Sequence, residues 1–113
     1  MEFLTHEPLK PMSSAGITAL SLLSLRHASE HGVEIARVLV EPGALLRPQS
    51  LPGAEQVWVG VCGVGLLLLA DRQTRCFSAN EVVRFAHGDL HGFQNTGQGP
   101  FIYLSVTFAP IAG

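Results

Sequence analysis

Charge is scarce in this 113-residue chain: seven lysines and arginines stand against nine aspartates and glutamates, 14% of residues in all, for a net charge of −2. Lys10 is the single lysine, and the six arginines are scattered. With no basic block, the electrostatic capture of nucleic-acid phosphates has no source. Cysteine is nearly absent as well. Cys62 and Cys76 are too few for a disulfide scaffold, and Met1–Pro8 shows no charged-then-apolar leader pattern. The longest apolar run, Val57 to Ala70, has fourteen residues including three glycines. A membrane-spanning helix needs about 20, so no membrane association is expected. The phosphate-cradling loop, the nucleophile elbow, the dinucleotide fingerprint and zinc-finger spacing are all missing. These absences predict a cytoplasmic protein with reduced thiols.

What is present is apolar: 47% of residues, with a mean hydropathy of +0.31. A chain of this size forms one domain and buries about two-thirds of its unfolded surface. So little charge for so much apolar content implies a further hidden face, and a homodimer is expected. Residues 1–15, broken by Pro8, Pro11, Ser13 and Ser14, read as an irregular N-terminal segment. Residues 16–113 read as the folded domain.

Strand signals dominate that domain. Ile17 to Leu25 suits either a helix or a strand, and a polar turn from Arg26 to Gly32 follows. Val33 to Val40 alternates with period two, placing Ala36, Val38 and Val40 on one side and Ile35, Arg37 and Leu39 on the other. Glu41-Pro42-Gly43 is a turn in which proline presets φ and glycine accepts a positive φ. Ala44 to Leu46 follows, then a break at Pro48 and Pro52-Gly53, and further strands are predicted at Gln56–Val61, Leu66–Ala70, Arg75–Phe77, Val82–Phe85, Leu90–Gln94 and Phe101–Phe108. Short strands at such spacing predict an all-β sandwich or barrel.

Two glycine-punctuated stretches add a family resemblance. Asn80 to Asn95 is similar to the second cupin motif, G-x5-P-x-G-x2-H-x3-N, with Gly88, His91 and Asn95 in place, Asn80 at the first glycine and Ala86 at the proline. Pro42 to Gly63 is similar to the first, G-x5-H-x-H-x(3 or 4)-E-x6-G, with Gly43 and Gly63 in place. Gln49 and Leu51 stand at its two histidine positions. Counting forward from Leu51 puts Glu55 at the acidic position, whereas counting back from Gly63 puts Gln56 there. The glycine turn fixes the strand register and favours Gln56 as the inward residue. The resemblance covers roughly residues 33 to 108 and implies a cupin-type jelly-roll barrel. Cupins include isomerases, dioxygenases, decarboxylases, polyketide cyclases, ligand-binding regulators and storage proteins, so the fold does not choose among them.

The cupin metal site uses two histidines and a carboxylate from the first motif and a histidine from the second. Here only His91 is a full match. Completing a site for zinc, iron, nickel or manganese requires weak candidates: Glu55, Gln56, Gln49 and His87. The resemblance therefore implies a small-molecule-binding cupin with a decayed metal site and no firm cofactor. Its pocket would be lined by Gln49, Leu51, Gln56, Trp58, His91 and Phe93. The rival is a cupin enzyme, either metal-dependent through an unusual His/Gln/Glu site or a metal-free isomerase or polyketide-cyclase type. In the latter, His91 is the acid/base, because imidazole exchanges protons near physiological pH. Alternatively His91 is a core histidine satisfied by Gln49 or Gln56. Trp58 shares a face with Gln56 and either stacks on a ligand or packs the core. His87, between Ala86 and Gly88, is read as a turn residue, His27 and His31 as loop residues, and His6 as solvated. The apolar face Val57-Val59-Val61 needs cover, from the N-terminal segment or from a second subunit.

Overall fold

The computed structural model of the chain describes Met1, residues 10–26 and residues 31–110. Their elements are β1 (Met12–Ser14), β2 (Ile17–Arg26), β3 (His31–Val40), β4 (Leu45–Gln49), β5 (Glu55–Cys62), β6 (Val64–Leu69), β7 (Thr74–Ser78), β8 (Val82–Phe85), β9 (His91–Gln94) and β10 (Phe101–Pro110). A single 3-10 turn, Ala70–Arg72, joins β6 to β7. The strands form a six-stranded sheet ordered β1-β2-β3-β10-β5-β8 and a four-stranded sheet ordered β4-β9-β6-β7. Every pairing is antiparallel. The chain crosses repeatedly between sheets, as in a jelly roll, so the all-β expectation holds and Ile17 to Leu25 is a strand.

Boundaries differ in places: Arg26, His31 and Gly32 belong to strands, and Ala70 lies in the 3-10 turn. Met12–Ser14, within the stretch expected to be irregular, pairs with β2 through a tight turn at Ala15 and Gly16, both at positive φ. Three residues are too few to show a period in the sequence. His6 and His27 lie outside the described residues, whereas His31 opens β3.

Period-two alternation decides what each sheet buries. Val38 and Val40 of β3 face inward with Phe101 and Tyr103 of β10 and Trp58 of β5. Phe77, Phe85, Leu67 and Phe93 complete the core. The aromatic rings touch in sequence: Phe77 on Phe101 at 5.7 Å, Phe93 on Phe101 at 4.3 Å, Trp58 on Tyr103 at 4.3 Å and Trp58 on Phe85 at 5.0 Å between centroids. Such pairs each add about 0.5–1.5 kcal/mol beyond burial of area. The column stiffens the sandwich and ends against a cavity.

Asn95 locks the loop before β10. It is 1% exposed. Its amide nitrogen donates to Val40 O at 2.8 Å and Gly99 O at 2.9 Å, and its Oδ1 accepts from Gly97 N–H at 2.9 Å. These bonds tie the loop to the end of β3.

Candidate functional site

The cavity lies between the sheets, at the end of the aromatic column. It has a volume of about 220 Å³ and is bordered by Leu46, Arg47, Gln49, Leu51, Gln56, Trp58, His91, Tyr103 and Ser105, with Ala36 and Val38 behind them. At its centre His91 is held on both nitrogens. The turn from Ala86 to Asp89, in which the Asp89 carboxylate accepts from Ala86 N–H at 2.8 Å, brings Asp89 O to 2.8 Å from Nδ1. On the other side Gln56 Oε1 is 2.9 Å from Nε2. The imidazole also stacks on Phe85, with centroids 3.9 Å apart and planes 6° from parallel.

The neighbours of Gln56 fix its orientation. The Trp58 indole N–H can only donate, and it reaches Gln56 Oε1 at 3.0 Å. The Gln56 amide nitrogen donates to Thr107 Oγ1 at 2.9 Å. Both atoms facing the imidazole are therefore acceptors, since a backbone carbonyl cannot donate. The set is complete when both imidazole nitrogens carry protons. With a proton on Nδ1 alone, the Nε2 lone pair opposes the amide oxygen. Turning the amide over would then satisfy Nε2 but strand the indole N–H. One Gln56 amide thus cannot serve the indole N–H and an unprotonated Nε2 at once.

A β-bulge shapes the opposite wall. β4 pairs with β9 at Leu46–Phe93 and again at Gln49–His91, which leaves one extra residue in β4 around Arg47-Pro48. The bulge places Gln49 directly opposite His91 and brings Arg47 to the cavity mouth. Gly92 permits it, because a Cβ there would stand 2.5 Å from Leu46 O and 2.7 Å from Pro48 N. Beyond Arg47 and Gln49 a second groove, of about 410 Å³, runs between β4 and the β1–β2 hairpin.

Of the residues expected at the site, the structure brings together Gln49, Leu51, Gln56, Trp58 and His91. Three lie elsewhere. Phe93 does not border the cavity: it is wholly buried, its ring lying across β6 where a Cβ on Gly65 would come within 2.3 Å of it. It shares the His91 face but sits deeper, and period two fixes face without fixing depth. Glu55 turns to the outer surface and forms an ion pair with the exposed Arg84. His87 is exposed in the turn and stands outside the cavity lining. Arg47, Tyr103, Ser105 and Thr107 were not anticipated. The alternation Phe101, Tyr103, Ser105, Thr107 along β10 carried a signal for three of them. The bulge that aims Arg47 has no sequence signature.

The donor set does not fit a metal. Among the described residues no group of three or more histidine, cysteine, aspartate or glutamate side chains converges. Gln49 and Gln56 offer neutral amide oxygens, Leu51 offers nothing, and the ligating nitrogen of His91 is engaged by Gln56. Burial pushes the Tyr103 phenol well above its ordinary range, so it faces the cavity as a neutral hydroxyl. Among the described residues no helix is long and apolar enough to cross a membrane.

No family model matches the chain. It is 30% identical over 105 residues to germin-like protein 1-1 of Oryza sativa subsp. japonica, an alignment covering 89% of this chain and 49% of that protein. The chain thus spans about half the length of the curated relative it matches. Among solved structures it resembles a cupin 2 conserved barrel domain protein from Salinispora arenicola CNS-205, with a TM-score of 0.74, 20% identity and coverage of 94% and 89% of the two chains. It also resembles the polyketide cyclase RemF from Streptomyces resistomycificus, with a TM-score of 0.73, 20% identity and coverage of 97% and 79%.

Proposed function

The chain is a small domain with the cupin fold, and we propose that it binds a small organic molecule in a cavity whose ancestral metal site has decayed. One observation carries the reading: Nε2 of His91 is spent on the Gln56 amide, at 2.9 Å, inside a cavity where Trp58, Tyr103, Leu46 and Leu51 stand among a few polar groups. Apolar walls with a few fixed polar atoms are what small-molecule pockets share. The test is a ligand screen followed on the indole N–H of Trp58, the one tryptophan in the chain. Filling the cavity by Ser105→Leu should abolish binding while the fold persists. Equal binding by that variant would overturn the reading.

A second reading, metal-free acid/base catalysis by His91, draws on a different observation. His91 is 6% exposed yet borders the cavity, with Nε2 2.9 Å from the Gln56 amide oxygen. The fold is also shared with a polyketide cyclase. A His91→Ala variant separates the two readings: retained affinity with lost turnover favours catalysis, whereas lost affinity without any turnover in the parent favours binding.

The quaternary state belongs to the same proposal. The outer face of the six-stranded sheet is apolar across three adjacent strands. Leu39 lies opposite Ile102, Leu104 opposite Val59, and Val106 between Ile35 and Val57. Arg37 is the charge at the centre of this face, and Glu55 of β5 is paired with Arg84 at its edge. A second copy laid face to face covers this surface and makes a homodimer. The free, exposed Cys62 and Cys76 suit a reducing, cytoplasmic compartment.

A further inference from the structure

We propose that the cavity takes a small organic acid, an apolar body of about one ring with a carboxylate directed at Arg47; this deepens the binding reading and rests on it. The permanent charge at the site is positive. Of the residues bordering the cavity, Arg47 and His91 alone are ionisable bases, and no aspartate or glutamate joins them. The acids closest in sequence to the motif residues are committed elsewhere. Glu55 pairs with Arg84 on the outer face. Glu81 accepts from the backbone N–H and the hydroxyl of Ser78 at 2.8 and 2.9 Å. Asp89 caps Ala86.

Arg47 itself has no carboxylate partner among the described residues. A guanidinium held beside an apolar cavity without a counter-ion presents a forked donor that matches a carboxylate in geometry as well as charge. Its placement is built into the fold. The bulge at Arg47-Pro48 interrupts the β4–β9 ladder, and Gly92 leaves the room that the bulge requires. Bulges recur beside binding sites because they re-aim a side chain. Arg47 also stands where the cavity meets the outer groove, so an incoming anion meets it first.

The remainder of the lining limits the body of the ligand. Trp58 and Tyr103, stacked on each other 29° from parallel, border the cavity with aromatic surface, and Leu46 and Leu51 add aliphatic surface. A volume of about 220 Å³ lies below the ~300–1,000 Å³ of pockets for drug-sized ligands, which restricts the guest to about one ring.

The test uses three isosteres of different charge: benzoate, neutral benzamide and cationic benzamidine, titrated into the full chain and read on the Trp58 indole N–H. Benzoate should bind at least about tenfold more tightly than benzamide, with benzamidine weakest. Arg47→Gln should weaken benzoate about tenfold and leave benzamide unchanged. Arg84→Gln, on the outer surface, should change neither. Added salt should erode the advantage of benzoate, because Arg47 is exposed. Equal affinity for benzamide or benzamidine, or a benzoate preference that survives Arg47→Gln, would overturn the acid proposal and leave the binding cavity standing. If none of the three moves the indole resonance at millimolar concentration, both readings fall.

Discussion

Gln56 and His91 are bonded directly, amide oxygen to Nε2 at 2.9 Å. The glutamine stands at the acidic position of the first motif and the histidine at that of the second. The positions that the two motifs assign to a carboxylate and an imidazole thus hold an amide and an imidazole in direct contact. Three further groups depend on the arrangement: the Trp58 indole, the Thr107 hydroxyl and the Asp89 carbonyl.

Gln56→Leu removes the shared amide and leaves the indole N–H and Nε2 without partners. Leaving a buried polar group unsatisfied costs about 1–3 kcal/mol. A loss on the order of 3 kcal/mol is expected in urea unfolding, with the slope of the transition unchanged. A stability equal to that of the parent would show that the network is not maintained in solution.

Metal titration separates the present lining from its motif. The natural chain should take up no stoichiometric zinc by calorimetry. The triple variant Gln49→His, Leu51→His, Gln56→Glu should bind one zinc per chain, because with His91 it supplies three imidazoles and a carboxylate. One zinc per natural chain, lost in His91→Ala, would contradict the donor chemistry described above.

Gly92→Ala forces a methyl group against the backbone of Leu46 and Pro48, neither of which is a flexible side-chain end. Overpacking of this kind costs about 1–3 kcal/mol. The larger effect falls on Arg47 and Gln49, which the bulge positions, so ligand affinity should fall even where the variant remains folded. Unaltered backbone resonances along β4 would show that the close approach is absent.

Tyr103 is the single tyrosine, so its ionisation can be followed alone by ultraviolet absorbance. Burial raises its pKa in the folded state above the ordinary value of 10.0. The unfolded chain therefore gives up the proton first. The stability linked to this group is complete below pH ~10 and declines as pH climbs from there through the folded value. Tyrosinate absorbance should appear together with unfolding, and Tyr103→Phe should flatten the alkaline decline. Ionisation of the folded protein near pH ~10 would contradict the burial.

Light scattering checks the face-to-face dimer. The natural chain should have twice the monomer mass at micromolar concentration, and Leu104→Glu, in the middle of the outer face, should have the monomer mass. A monomeric natural chain would remove the dimer from the proposal.

Much of this architecture was legible in the sequence because strands announce themselves twice, by alternation within and by glycine or proline at the ends. Val33 to Val40 and Phe101 to Phe108 were clear for that reason, and counting back from Gly63 placed Gln56 rather than Glu55 inward. Three things were not legible. The β1 strand is too short to alternate. The depth of Phe93 depends on which strand lies above it, here β6 with Gly65, and a period says nothing of that. The Arg47-Pro48 bulge adds one residue to one strand, a change visible only once β9 is alongside. Ser105 and Thr107 were legible by alternation with Tyr103, since all three share the inner face of β10.

β1 and β4 are each the outermost strand of their own sheet, and the groove of about 410 Å³ lies between them. No ladder bond joins the two, so parting them costs no interstrand hydrogen bond. Exchange of an occupant can proceed while the aromatic column stays assembled. Under the proposed binding, residence time would then be governed by local parting of these two edges and not by the barrier to unfolding.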